Sequence, residues 1–147
     1  MIDEIDYQLI HTLEKDASLN SDTLAKMLNV SAATVRRRMR KLVKDKVIHL
    51  VALISPEKVG FPITVGIMME IKAEYIESAA MKLAEHPNVK SIGYATGEYN
   101  ISALTVFRAM PEVSEFMQKY VSAIEGLQSV KTHVFIKTWK GHFIHEG

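Results

Sequence analysis

The sequence predicts an α+β chain whose first third is helical and whose remainder mixes strands with helices. Three observations predict it. Apolar residues recur at helical spacing until about Val47, where the first β-branched run begins. Past residue 61 the segments alternate strand, helix, strand, strand, helix, strand. Positive charge is concentrated in residues 31–46, SAATVRRRMRKLVKDK, where seven Lys or Arg stand against one acid, Asp45. The rest of the 147 residues carries eleven basic groups against sixteen acids, and the net charge is only +1. Such segregation marks a surface that meets phosphates on a body that would otherwise repel them.

The totals bound the remaining choices. At 48% hydrophobic, the chain can bury one sizeable core or two small ones. No apolar run approaches the roughly 18 to 20 residues of a membrane span. The start, MIDEIDYQLIHTL, is acidic and amphipathic, unlike a signal peptide, so a soluble, cytoplasmic protein is expected. The absence of cysteine excludes disulfides, thiolate metal sites and a Cys nucleophile.

Taken in order, residues 3–15 place Ile5, Leu9, Ile10 and Leu13 at helical spacing, with acids in the first turn where the helix dipole favours them. Residues 21–28 predict a short second helix with Ser21 as N-cap and Leu24, Ala25 and Leu28 inward. Asn29-Val30 makes a turn, Asn tolerating a left-handed backbone, and Ser31 caps a third helix. VIHLVALIS from Val47 reads as extended, PEKVG as a turn, and PITVGIMMEIK alternates Ile63, Val65, Ile67, Met69 and Ile71 on one face. A helix over 75–86, with Ile76, Ala80, Leu83 and Ala84 inward, stops at Pro87. Strands near 89–96 and 99–107 follow, joined by GE. A helix over 111–125 carries Val113, Phe116, Met117, Tyr120, Val121 and Ile124 inward, Gly126 ends it, and SVKTHVFIKTW closes as a strand. The order β-α-β-β-α-β is the ferredoxin-like split unit. Both helices of such a unit cover one sheet face, and the other face is expected to be covered by self-association.

The third helix carries the functional signal. Val35, Met39 and Leu42 form its buried stripe, and Ala33, Arg37, Arg40 and Lys44 project opposite, with Arg36 and Lys41 on the shoulders. Arg38 lies beside the apolar stripe, where it either reaches a phosphate or pairs with an acid of the first helix such as Asp6. The bland reading of a basic run is a solvated face. Against it stand the small residues Ser31, Ala32, Ala33 and Thr34, which permit close approach to a duplex, and the tight turn. The spacing from Ala25 to Val35 is that of a helix-turn-helix, whose last helix lies in the major groove.

LAKMLNVSAATVRRRMRKLVKDKVI resembles the DNA-binding segment of the Lrp/AsnC, or feast-or-famine, family of transcription regulators. IDEIDYQLIHTLEKDASLNSDTLA, SPEKVGF, TGEYN and THVFIKTWKG match the same family in order, so the resemblance covers essentially the whole chain. It implies a winged-type helix-turn-helix domain over 1–48 (the motif itself about 21–40), a β-strand linker over 49–61, and a ferredoxin-like effector-binding and oligomerisation domain over 62–147 that dimerises through its sheet. It also implies double-stranded DNA, an amino-acid effector, and homodimers that either stop there or assemble into octamers. Two departures stand out. Lys46 replaces the family's usual Gly, and Asn100 replaces the usual Asp of the loop, where a carboxylate can hold an ammonium and a neutral amide holds it less well.

On this reading Arg37 and Arg40 contact base edges, Arg36 and Arg38 are further cationic candidates, and Lys41, Lys44 and Lys46 meet phosphates. Ser31, Ala33 and Thr34 line the approach at the helix start, where the dipole favours an anion. A dimer reads a near-palindrome with half-sites about one helical turn, or a multiple of it, apart. By itself TGEYN is a hairpin turn with Gly97 supplying a positive φ. The resemblance makes Thr96, Gly97, Tyr99 and Asn100 effector-binding candidates. No cofactor and no catalytic residue is expected. The enzyme alternative rests on His133, His142 and His145 as zinc ligands, without a carboxylate-rich partner motif or any HExxH, GxSxG or phosphate-cradling loop. A non-specific, chromatin-like DNA compactor is the other competing reading, with an interaction module whose basic helix meets an acidic protein beside it.

Overall fold

The structure, a computed structural model, describes residues 1–138. The chain divides into two compact units, Met1–Ala52 and a second from Leu53 onward. Among the described residues no helix is long and apolar enough to cross a membrane.

Three helices build the first unit: α1 (Glu4–Lys15), α2 (Ser21–Leu28) and α3 (Ala32–Lys44). A reciprocal capping box starts α1, the Asp3 carboxylate accepting from the Asp6 N–H while the Asp6 carboxylate accepts from the Asp3 N–H. Asn20 caps α2, not Ser21 as expected. Its side-chain oxygen accepts from the Thr23 N–H at 2.9 Å, and its backbone is still extended where Ser21 is already helical. Asn29 takes the left-handed conformation that ends α2, and Ser31 caps α3. Leu9, Leu13, Leu24, Ala25, Val35 and Leu42 are buried together, with Ile10, Leu28 and Met39 packed against them.

The end of α3 reveals what became of the glycine position. Lys46 has φ 55°, its N–H donates to the Val43 carbonyl at 3.0 Å, and the Val47 N–H donates to the Leu42 carbonyl at 2.9 Å. These are the two bonds of a Schellman ending. The backbone therefore keeps the geometry that suits glycine, and the lysine Cβ is accommodated in it at a cost of about 1 kcal/mol.

Residues 47–55, expected as a strand, form no ladder among the described residues, and this irregular stretch leads directly into a 3-10 turn, Pro56–Val59, closed by Gly60 at φ 93°. The physical reason is that an extended backbone becomes a strand only where a second strand takes up its N–H and C=O groups, and none does so among the described residues. Val47, Leu50, Val51, Leu53 and Ile54 are all exposed.

The second unit comprises β1 (Ile63–Ile71), α4 (Ile76–Ala84), β2 (Val89–Tyr94), β3 (Ile101–Phe107), α5 (Met110–Phe116) and β4 (Leu127–Val134). The antiparallel sheet runs β2-β3-β1-β4, the ferredoxin-like order. Val65, Ile67, Met69 and Ile71 alternate into the core beneath both helices. In α4 the buried pair is Ala79 and Leu83, while Ala84, expected inward, is exposed, because the contact stripe is centred one residue earlier than the sequence suggested.

The helix expected over 111–125 is not regular. After Phe116 it widens into a π turn, Met117–Val121, in which the Ser122 N–H donates to the Met117 carbonyl and the Ser122 hydroxyl donates to the Gln118 carbonyl at 2.6 Å. The extra residue per turn carries Tyr120, expected inward, out to the surface and returns Val121 and Ile124 to the core. Gly126, at φ 78°, lies so close under the Tyr75 ring that a Cβ there would overlap it.

The sheet face away from the helices mixes polar residues with apolar ones, Val106 opposite Thr64 among the latter. By strand alternation and register it presents Thr64, Gly66, Met68 and Glu70 of β1, Ser102 and Leu104 of β3, and Ser129, Lys131 and His133 of β4. The Phe135 ring lies over Gly66, and Ser129 donates to Glu70.

Relief of the left-handed lysine gives a measurable effect. Lys46→Gly should stabilise the first unit by up to about 1 kcal/mol, the relieved Cβ strain being partly offset by the greater freedom of glycine in the unfolded chain. Urea unfolding monitored by helical circular dichroism reads it, and a variant of lower midpoint would contradict the strain argument.

Candidate nucleic-acid interface

The basic face of α3 begins with its cap. The Ser31 hydroxyl oxygen accepts from the Thr34 N–H at 3.1 Å, and the Ser31 and Thr34 hydroxyls lie 2.8 Å apart. One of these hydroxyls donates to the other, so one O–H remains available for an anion at a helix N-terminus. Ala33 is exposed beside them.

Arg36, Arg37, Arg40, Lys41, Lys44 and Lys46 are all exposed. Lys41 is 3.9 Å from Asp45, and Arg40 lies along its own helix, its Nε donating to the Arg36 carbonyl at 3.3 Å. Among the described residues Arg36, Arg37, Arg40, Lys44 and Lys46 have no carboxylate within ion-pair distance. The outward wheel positions read from the sequence thus coincide with charges left to solvent. Beside them Arg36, Arg40 and Lys44 border a shallow groove floored by Met39, Val43 and Leu50.

Arg38 takes the internal of its two alternatives. Its Nη1 donates to both Asp3 carboxylate oxygens at 2.8 Å and to Asp6 Oδ1 at 2.7 Å, and its side chain is 18% exposed. Asp6 is 5% exposed. Asp6 and then Asp3 raise the Arg38 pKa above its ordinary value. The Asp6 N–H, and after it Arg38, hold the Asp3 carboxyl below the usual carboxylate range. Arg38 therefore belongs to the scaffold, whereas Arg36, Arg37 and Arg40 stay free.

The loop of residues 96–100 is a hairpin end in the second unit. The Ala95 N–H donates to the Asn100 carbonyl at 2.9 Å, and Gly97 has φ 117°. Thr96 and Gly97 are exposed and Tyr99 is half-buried, with the Lys131 ammonium 5.6 Å from the centre of its ring. Asn100 does something the sequence did not reveal. Its Oδ1 accepts from the Ile71 N–H at 3.0 Å and its Nδ2 donates to the Ile71 carbonyl at 2.7 Å. The side-chain amide imitates one more rung of the β1–β3 ladder, whose last backbone pair is Met69 with Ile101. A carboxylate can supply only half of that rung.

His133 is exposed on β4, and His142 and His145 lie outside the described residues. Among the described residues no three His, Asp or Glu side chains are grouped as a metal site.

Comparison with known proteins assigns both units. The model of the AsnC-type helix-turn-helix domain matches residues 2–43, and that of the Lrp/AsnC ligand binding domain matches residues 63–143. An uncharacterised HTH-type transcriptional regulator of Pyrococcus furiosus is 32% identical, the match covering 95% of this chain and 96% of that protein. Another from Pyrococcus horikoshii is 29% identical, over 94% and 89%. AsnC of E. coli superposes with a TM-score of 0.83 at 24% identity, covering 98% of each chain. A transcriptional regulator of Neisseria meningitidis, solved as a complex with L-Met, gives 0.86 at 23% identity, covering 97% of this chain and 94% of that one. At these identities the two structures establish likeness of fold.

Two outcomes follow from the geometry. Since Asp3 titrates lower in the folded state than unfolded, its contribution to stability is present above about pH 4 and is lost as the pH falls through the lowered value. Arg38→Gln should lower the melting temperature by several degrees at pH 7 and flatten this acid dependence; an unchanged thermal profile from pH 7 to 2 would contradict it. Asn100→Asp should destabilise the second unit by about 1 to 3 kcal/mol at neutral pH, because a carboxylate oxygen then faces the Ile71 carbonyl. Denaturant unfolding should recover part of that loss below about pH 4, where the protonated acid donates again.

Proposed function

The chain belongs to the Lrp/AsnC family of transcriptional regulators, and we propose that it acts on double-stranded DNA as a homodimer, α3 entering the major groove of each half-site of a near-palindrome. It is a regulator with an AsnC-type helix-turn-helix domain and an Lrp/AsnC ligand-binding domain. The observation that carries the interface is the division of charge on α3: Arg38 is bound inward to Asp3 and Asp6, while Arg36, Arg37 and Arg40 face solvent without an acid. Arg37 and Arg40 read base edges, Arg36 supports them from the shoulder, and Lys41, Lys44 and Lys46 fix register on phosphates. Ser31, Ala33 and Thr34 admit a phosphate to the start of the helix.

The dimer forms through the open sheet face, where Leu104, Met68 and Gly66 with its overlying Phe135 supply the apolar centre, and the segment 47–55, whose Leu50, Val51, Leu53 and Ile54 are exposed, finds a strand partner in the second copy. Further assembly to octamers follows the family pattern. A small effector, an amino acid or a relative of one, acts at the loop of residues 96–100. The Neisseria meningitidis regulator of similar fold was solved with L-Met, which supports this class. Thr96, Gly97 and Tyr99 are the contact residues, and Asn100 sets the loop from behind. Such an effector acts by binding one assembly or dimer geometry better than another. The protein works in the cytoplasm, beside the DNA, and carries no catalytic residue and no cofactor.

Titration of the protein with its selected site at increasing salt should give a log-log slope of about −0.9 per phosphate neutralised. Arg37→Ala should flatten base preference by about 1 to 3 kcal/mol at one position, whereas Lys44→Ala should weaken all sequences alike. Identical behaviour of the two variants sinks the division of labour, and footprints without any preferred site on the protein's own upstream DNA point instead to a compacting protein.

A further inference from the structure

At the end of the β2–β3 hairpin opposite to the 96–100 loop, within the second unit, lies a cleft of about 550 Å³, within the range of small-ligand sites. One wall is aromatic. The His86 ring stands edge-on to Phe116 at 4.8 Å and to Tyr120 at 4.4 Å, and Phe116 and Tyr120 stack with centroids 5.4 Å apart. The π turn after α5 makes this wall by carrying Tyr120 outward. His86 is oriented by the Asn88 N–H, which donates to its Nδ1 at 3.2 Å and thereby leaves the ring proton on Nε2. Burial lowers the His86 pKa, so the ring offers a neutral face at neutral pH.

Charge decides what such a wall would accept. Of the two lining acids, Glu115 pairs with Lys119, whereas Glu112 accepts only from the Arg108 backbone N–H, at 3.0 Å, and keeps its charge. Both lining cations lack a carboxylate among the described residues. The Arg108 guanidinium rests over the Phe61 ring, 5.0 Å from its centre, and Lys90 Nζ donates to the Pro87 carbonyl at 2.7 Å. An aromatic surface beside two cations, which outnumber the single unpaired acid Glu112, matches a planar ring bearing an anion. A zwitterionic amino acid, neutral overall, gains less from that excess of positive charge.

We propose that this cleft is a second small-molecule site, distinct from the 96–100 loop, that takes an arylcarboxylate, its ring against His86 and Tyr120 and its carboxylate on Arg108 and Lys90. The assignment stands on the second unit alone and does not depend on the DNA-binding reading.

Isothermal titration of the full chain with indole-3-acetate tests it, with indole-3-acetamide and L-tryptophan as neutral and zwitterionic controls. Expected are millimolar or tighter binding of the acid and roughly tenfold weaker binding of both controls. The surface variants Arg108→Gln and Lys90→Gln should each weaken the acid several-fold with melting temperature unchanged, and Thr96→Val should leave it untouched. Absence of binding to the acid, equal affinity for acid and amide, or a loss caused by Thr96→Val but not by the two cation variants would each overturn the proposal.

Discussion

The contact between Arg38 and the start of α1 is the constraint from which the rest of the DNA-binding unit follows. Asp3 caps α1 and, with Asp6, grips the middle of α3, so one cluster of three charges fixes both the first turn of one helix and the rotation of another. The rotation is the functional quantity. A helix turned by one residue, about 100°, would bring the solvent-facing arginines against the core and expose Val35. Apolar packing of Val35 and Leu42 opposes that rotation non-directionally, whereas the Asp3–Arg38–Asp6 contacts oppose it with geometry. The cluster also subtracts one cation from the exposed basic face of α3, leaving a patch composed of residues the scaffold does not use.

Much of this architecture was legible in the sequence wherever a local signal and a packing requirement coincided. Val65, Ile67, Met69 and Ile71 alternate because one sheet face is covered, and Asn29 and Ser31 mark the turn because few residues tolerate those backbone positions. Legibility failed where the deciding partner was distant. Arg38 sits on the boundary of the helical wheel, and only the placement of Asp3 and Asp6 settles its direction. Segment 47–55 has strand composition, but ladder formation depends on a second strand that composition does not supply. The π turn escaped detection because apolar spacing around Tyr120 and Val121 fits a regular helix nearly as well.

The loop and the cleft were the least readable parts, for a related reason. Nothing near Asn100 in sequence announces Ile71, 29 residues away, as the recipient of both its amide bonds. The lining of the cleft comes from the segment before β1, the start of β2, the end of β3 and α5, and only the fold assembles it. Lys46 is the opposite case. The departure from glycine was visible, and the structure adds that the backbone did not change to suit it. Local strain thus persists at an exposed, cationic position.

The widened turn at Met117–Val121 has an evolutionary corollary. Rewinding it as regular helix with every residue kept would rotate Val121 and Ile124 out of the hydrophobic interior. Only the loss of one residue would restore ideal winding with those side chains still inward, so while the chain keeps its length the core holds the wider turn in place.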